Sequence, residues 1–136
     1  MFASVPRISR IVDYINDGVY GAFNCILFDH QTPQPYVLAH NGSFHVPLSA
    51  SAASSARASV WGPTCDALDC VCAAAALPGT LQVGDWLGWE NMGAYTVCAA
   101  SGFNGFEVSR VVYTTGAGAG AGEVREALRA FQAQVA

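Results

Sequence analysis

A mainly β domain, a barrel or sandwich with one short internal helix and one short C-terminal helix, is the fold class this sequence predicts. Three observations carry it. Short apolar, β-branched or aromatic runs recur between turn signals such as Asn16-Asp17-Gly18, His40-Asn41-Gly42 and Pro78-Gly79. Only residues 67–76 and 123–135 suit a helix, the first through its Ala/Leu content and the second through the stripe of Val124, Leu128 and Phe131. At 136 residues the chain is one domain's worth, long enough to bury a core and too short for two comfortable ones.

In chain order, residues 7–14 are mixed enough to be an edge strand or a loop leading into one. After the Asn16-Asp17-Gly18 turn, residues 19–28 (VYGAFNCILF) read as a strand buried on both faces or crossing an interface, with Gly21 marking a bulge or a close backbone approach. Asp29 and His30 lie where that strand emerges, and Asp29 is either solvent-facing or a recognition group at a pocket mouth. Pro33 and Pro35 close the segment, residues 36–39 form a short strand, and residues 44–48 a further brief one. The run SASAASSARAS, residues 49–59, reads as a low-complexity flexible loop. Strand patterns follow at residues 81–89, 97–100 and 108–115, the last closing the sheet. Residues 116–122 are a Gly/Ala linker. The expected division is therefore a β domain over residues 1–115 and a linker with a short helix over residues 116–136.

Composition limits the function. Ten acidic against six basic residues give a formal net charge of −4 with no basic stripe, so neither nucleic acid nor an anionic membrane surface is an expected partner, whereas a cationic substrate suits the aspartates. All six basic residues are arginine. Chemistry that needs a lysine, such as an imine to a carbonyl cofactor, cannot be completed by this polypeptide alone. The five cysteines are an odd number in mostly apolar context, which points to a reducing compartment rather than a disulfide framework. Cys70 and Cys72 are spaced C-x-C with no second pair and no histidine at ligand spacing, so no metal site is expected. The first ten residues lack a signal-peptide core and no run approaches a membrane span, so an intracellular chain is expected.

The stretch VWGPTCDALD, residues 60–69, carries the chemistry most legible from residues alone. Gly62 and Pro63 break an extended segment, Thr64 and Asp66 are candidate caps, and Cys65 falls at a turn or first helical position. Unpaired N–H groups there would lower a thiol pKa, while Asp66 and Asp69 push the other way. The alternative is a small buried Cys65 beside an N-cap Asp66. In ENMGAYT, Gly93 two residues before Tyr95 allows a ligand to approach the backbone while the phenol reaches an anion or ring edge. The alternative is a core tyrosine with its hydroxyl at the surface. In SGFNGF, Phe103 and Phe106 supply aromatic faces.

Together with YINDGVYGAFNCILFDH, LQVGDWLGWENMGAYTV and AASGFNGF, that stretch resembles the carboxy-terminal β domain of eukaryotic ornithine decarboxylases, pyridoxal phosphate enzymes of the alanine racemase-like fold. The segments run in family order and cover most of residues 14–106. The resemblance implies a Greek-key β domain in a head-to-tail homodimer of two-domain subunits, cytoplasmic, whose amino-terminal barrel carries the cofactor and its lysine. It therefore implies a fragment, a truncated gene model, or a domain that borrows a barrel, inactive alone.

By the same resemblance, Cys65 is the proton donor that crosses the dimer interface, and Asp66 accompanies it. Asp29 is the second carboxylate, and the two hold the distal ammonium of ornithine, which decarboxylation turns into putrescine. Tyr95 contacts the cofactor, Phe103 lies near the Cα substituents, and Tyr20 and Gly93 fall at the dimer interface. Phe28 stands where the family has tyrosine, keeping a main-chain contact to substrate and losing one hydroxyl. Antizyme is an implied partner, and a non-catalytic antizyme-inhibitor-like regulator or a scaffolding domain is the alternative. Decarboxylases acting on arginine, lysine or diaminopimelate share the fold, and the pairing of Asp29 with Asp66 favours ornithine.

Overall fold

A computed structural model describes residues 11–44, 55–112, 122, 123, 125, 126 and 129. Among them the strands are β1 (Ile11–Tyr14), β2 (Tyr36–His40), β3 (Ser43–Phe44), β4 (Ser55–Trp61), β5 (Cys70–Pro78) and β6 (Trp86–Gly88), with one short helix α1 (Cys25–Phe28). They form two three-stranded sheets, ordered β1-β4-β5 and β3-β2-β6. The first sheet is mixed, since β1 runs parallel to β4 while β5 pairs antiparallel to it. The second is antiparallel throughout.

The expected Greek-key barrel or sandwich is corrected here: among the described residues neither sheet closes, and each keeps two open edge strands. Closure needs a continuous ladder with strands shared between sheets. Here each sheet ends after three strands. Of residues 7–14, expected as an edge strand or a loop leading into one, 11–14 form β1 at an edge of its sheet and 7–10 lie outside the described residues; the strand expected at residues 36–39 is β2.

The internal helix expected at residues 67–76 is a second correction, because residues 70–78 are strand β5. Alanine's helix preference is a few tenths of a kcal/mol per residue, and pairing overrides it. β5 lies along β4 from Ser55↔Pro78 to Trp61↔Cys70, with register shifts on either side of Val60. Val71, Cys72, Ala75 and Leu77 are buried, and Ala73, Ala74 and Ala76 are exposed. The same pairing turns residues 55–59 of the expected low-complexity loop into strand, with Ala58, Ser59 and Val60 buried.

Residues 19–28 are the third correction, a coiled turn leading into α1 rather than a strand. The polar side chains decide it. Asp17 Oδ1 accepts the N–H groups of Gly18 and Ala22, and the carbonyl of Gly18 accepts those of Gly21 and Phe23. A Cβ on Gly21 would overlap the Asp17 carboxylate, so the glycine does permit a close approach. Residues 97–99 form a 3₁₀ turn and residues 108–112 no strand. Only Trp86–Gly88 of the run 81–89 is strand. The rest of the expected strands at 44–48 and 108–115, and most of the terminal helix, lie outside the described residues; residues 122, 123, 125, 126 and 129 are helical.

The core sits between the first sheet and the 19–28 turn. Val19, Phe23, Ala58, Val60, Val71, Cys72, Ala75 and Leu77 form one buried cluster. The Trp89 ring meets Phe23 edge-on at 4.9 Å between centroids and joins the second sheet's flank to it. This packing fixes two loops, 62–69 and 89–96, against the 17–29 segment.

Candidate functional site

Loop 62–69 is built around a carboxylate that the sequence did not single out as its organiser. Asp69 is fully buried and accepts hydrogen bonds from Val19 N–H at 2.9 Å, Thr64 N–H at 2.9 Å and the Thr64 hydroxyl at 2.7 Å. The ends of the loop are also tied, Gly62 N–H to Asp69 O at 2.8 Å and Asp69 N–H to Asp66 O at 3.0 Å. Gly18 and Gly62 are required by this arrangement, because a Cβ on either would overlap the Asp69 carboxylate. A Gly-Pro break followed by the candidate caps Thr64 and Asp66 and an Ala/Leu-rich run is a pattern a helix start shares, which is why the sequence suggested a helix instead.

Cys65 rides on this loop, exposed. It lies in a turn, and since β5 rather than a helix follows, a helix N-terminus does not act on its thiol. Asp66 is held at both oxygens: Leu68 N–H donates to Oδ1 at 2.9 Å and the Tyr20 hydroxyl to Oδ2 at 2.5 Å. Those two donors, Leu68 first, pull the Asp66 carboxyl below its ordinary range. The same hydrogen bond to a carboxylate pushes the Tyr20 phenol up to about 12. The Tyr20 ring stacks on Phe103 at 4.1 Å and 24° between planes, and its carbonyl accepts Ser101 N–H at 2.8 Å. Tyr20, Asp66 and Phe103 are thus one cluster with Cys65 adjacent in sequence.

The other expected site residues gather elsewhere. Asp29 follows α1 and lines a cavity of about 700 Å³ with Cys25, Tyr36, Glu90, Asn91 and Tyr95. Phe28 is 68% exposed beside it and Tyr95 is 73% exposed. Tyr95 takes a left-handed φ of 55°. The buried Asn24 and Thr96 hold that tyrosine's segment. Asn24 Nδ2 donates to the carbonyls of Thr96 and Gly21, and the Thr96 hydroxyl donates to those of Met92 and Gly93. Gly93 is exposed, and a Cβ there would meet nothing within 4 Å. Burial raises the pKa of the Cys25 thiol, which suits a packing role.

Asp29 and Asp66 therefore do not converge within one chain, since Asp66 is not part of the cavity that Asp29 lines. Asn24, Asp69, Thr96 and Glu90 were not marked by sequence reasoning as site residues. Asn24 and Asp69 sit in runs that read as strand and helix, and burial of such polar side chains is a tertiary property. Among the described residues no three His, Cys, Asp or Glu side chains are grouped to hold a metal ion, and no helix is long and apolar enough to cross a membrane.

The fit to a pyridoxal cofactor is limited to one edge. The exposed Tyr95 phenol can contact such a ring, but the chain has no lysine to form the imine. The side chains lining the cavity include the acids Asp29 and Glu90 and no cation to receive a phosphate. The cavity's charge suits an ammonium.

Against known proteins, residues 5–93 match the family described as pyridoxal-dependent decarboxylase, C-terminal sheet domain. Ornithine decarboxylase of Schizosaccharomyces pombe is 53% identical over 104 residues, covering 76% of this chain and 24% of that protein. Antizyme inhibitor 2 of Xenopus laevis is 52% identical over 103 residues, covering 76% and 21%. The chain thus spans about a quarter of the length of these curated relatives. The crystal structure of a lysine/ornithine decarboxylase from Vibrio vulnificus, complexed with cadaverine, superposes with a TM-score of 0.66 at 28% identity, covering 82% of this chain and 27% of that one. With its four resembling segments in order, a family match across more than half its length and these relatives, the chain belongs to the C-terminal sheet domain family of pyridoxal-dependent decarboxylases.

Proposed function

We propose that this chain is the substrate-recognising and proton-donating part of a pyridoxal phosphate-dependent ornithine decarboxylase, acting in the cytoplasm, and that it works only with a lysine-bearing barrel in a homodimer. The observation that carries the reading is the division of the site residues into two groups on one chain: Cys65, Asp66, Tyr20 and Phe103 in one, Asp29 and Tyr95 in the other. Two half-sites on one polypeptide become whole sites when a second copy turns the first group toward the second, as two-fold symmetry allows. Gly93, exposed with open space where a side chain would stand, suits close approach by that second copy.

In this reading Asp29 of one subunit and Asp66 of the other flank the distal ammonium of ornithine, since burying that charge requires opposite charge and hydrogen-bond acceptors. Phe28 contacts substrate through its main chain, and Phe103 forms an apolar wall that excludes water near the α-carbon. Cys65 holds a proton on Sγ and delivers it to that carbon once carbon dioxide has left, giving putrescine. One part of the chemistry comes from outside the chain: the electron sink of pyridoxal phosphate, anchored by the barrel and touched here by Tyr95.

The similarity to antizyme inhibitor 2 favours a second reading, a non-catalytic chain that binds antizyme. Cys65 and Asp66, held together in one loop, favour the first. The test joins this chain to the barrel of the Schizosaccharomyces pombe relative and mixes a Cys65→Ala variant with one lacking the barrel lysine. Each alone is expected to be nearly inactive. At full exchange the mixture is expected to recover about a quarter of the parent's putrescine formation, because half the dimers are mixed and each carries one intact site. No recovery with exchange verified refutes the shared acid. Antizyme binding without any decarboxylation supports the second reading.

A further inference from the structure

Within the Cys65-Asp66 loop, one side chain reaches Asp66 from another part of the fold. An aspartate has two side-chain torsions and would otherwise sweep its carboxylate through several positions. Here Leu68 N–H holds Oδ1 at 2.9 Å and the Tyr20 hydroxyl holds Oδ2 at 2.5 Å. Tyr20 is itself fixed three ways. Its ring lies on Phe103 at 4.1 Å, its carbonyl accepts Ser101 N–H at 2.8 Å, and the N–H of its neighbour Val19 is bonded to the buried Asp69 at 2.9 Å. A carboxylate offers about four acceptor positions. With one taken on each oxygen, the remaining ones point away from Tyr20 and Leu68.

We propose that Tyr20 is a positioning residue for Asp66, and that by fixing this carboxylate it sets the length of cationic side chain the site accepts. The inference rests on the reading of Asp66 as an acceptor of the substrate's distal ammonium. One methylene changes the reach of an amino-acid side chain by on the order of 1 Å. A carboxylate free to swing absorbs that difference, and one held at both oxygens does not. Ornithine and lysine differ by that methylene, so the hydroxyl of Tyr20 is a specificity determinant although it need not touch the substrate. The raised phenol pKa, caused first by the bond to Asp66, keeps Tyr20 a donor at any physiological pH. The nearby charges on it are those of Asp66 and Asp69.

Tyr20→Phe isolates the hydroxyl, because phenylalanine keeps the stack on Phe103. In the two-domain protein described above, the variant is expected to raise the ornithine KM about tenfold, with kcat held within about twofold, as for loss of one charge-assisted hydrogen bond. The ratio of ornithine to lysine kcat/KM is expected to fall by about fivefold or more. Sedimentation is expected to give an unchanged dimer. In the 136-residue chain itself, a carboxyl carbon NMR titration is expected to move the Asp66 midpoint up in Tyr20→Phe, part of the way to an ordinary aspartate because Leu68 N–H remains. An unmoved Asp66 midpoint overturns the proposal, as does an unchanged ornithine-to-lysine ratio. A loss of dimer and of kcat with unmoved KM also overturns it, in favour of a packing role. Asp66→Asn, measured alongside, separates the two levels: if it leaves the ornithine KM unmoved, it is the reading of Asp66 as ammonium acceptor that fails.

Discussion

Replacing Asp69 by alanine is expected to release the loop that carries Cys65 and Asp66. The carboxylate takes three hydrogen bonds, from Val19 N–H, Thr64 N–H and the Thr64 hydroxyl, and is fully buried. Alanine leaves two backbone donors buried without a partner, at about 1–3 kcal/mol each, while the hydroxyl can turn elsewhere. The expected loss of stability is therefore about 2–6 kcal/mol, large against the 5–15 kcal/mol by which domains are usually stable. Asp69→Asn keeps one carbonyl acceptor and turns an NH₂ group toward a donor, so it should fall between parent and alanine. Thr64→Val removes the hydroxyl's bond to Asp69 and the longer one it accepts from Asp66 N–H at 3.4 Å, and should cost about 1 kcal/mol. The assay is urea unfolding of the chain followed by tryptophan fluorescence, paired with the rate at which Cys65 is alkylated below the unfolding transition. Faster alkylation with a lower midpoint is the expected pattern for Asp69→Ala. A midpoint shift worth less than about 1 kcal/mol, or an order in which Thr64→Val is the most damaging change, refutes the view that this carboxylate organises the loop.

The remaining expectations concern another acid and the absent lysine. Asp13 on β1 has one buried oxygen, Oδ2, without a hydrogen-bond partner among the described residues, and burial raises its pKa. An acid with a raised folded pKa binds its proton more tightly when folded, so it costs stability above that pKa and nothing below the ordinary 3.8. Asp13→Asn should therefore raise the thermal midpoint at pH 7, with the gain shrinking as pH falls through the raised pKa toward 3.8. A gain that persists at pH 3 argues against titration of Asp13 as its cause. Because every basic residue is arginine, pyridoxal phosphate added to the chain should give no lysine-type imine absorbance, and ornithine should release no carbon dioxide. Measured release by the purified chain refutes this.

How much was legible in the residues differs from segment to segment for physical reasons. Family membership and the lack of lysine depend on residue identity and local order, so the sequence alone determined them, whereas it left Cys65 between a turn and a first helical position. β2 was legible because β-branched and aromatic residues there act in a local pattern that pairing reinforces, and β1 only as one of two alternatives, strand or loop. Residues 70–78 were not, since a run of alanines is helical by its own preference and becomes a strand only because β4 lies beside it. Residues 19–28 failed in the opposite sense: their apolar pattern suits a strand, but Asp17 Oδ1 accepts the N–H groups of Gly18 and Ala22 and holds the chain in a coil in place of a ladder. The grouping of site residues was a matter for the tertiary structure alone. Tyr20 and Asp66 are 46 positions apart, and Asn24 and Thr96 are 72 apart. Contacts at such separations depend on how the first sheet packs against the 17–29 turn, and no local periodicity encodes them. The separation of Asp29 from Asp66 arises in the same way, because Asp29 follows α1 and Asp66 lies in the 62–69 loop, and residue identity is silent about where the fold carries each.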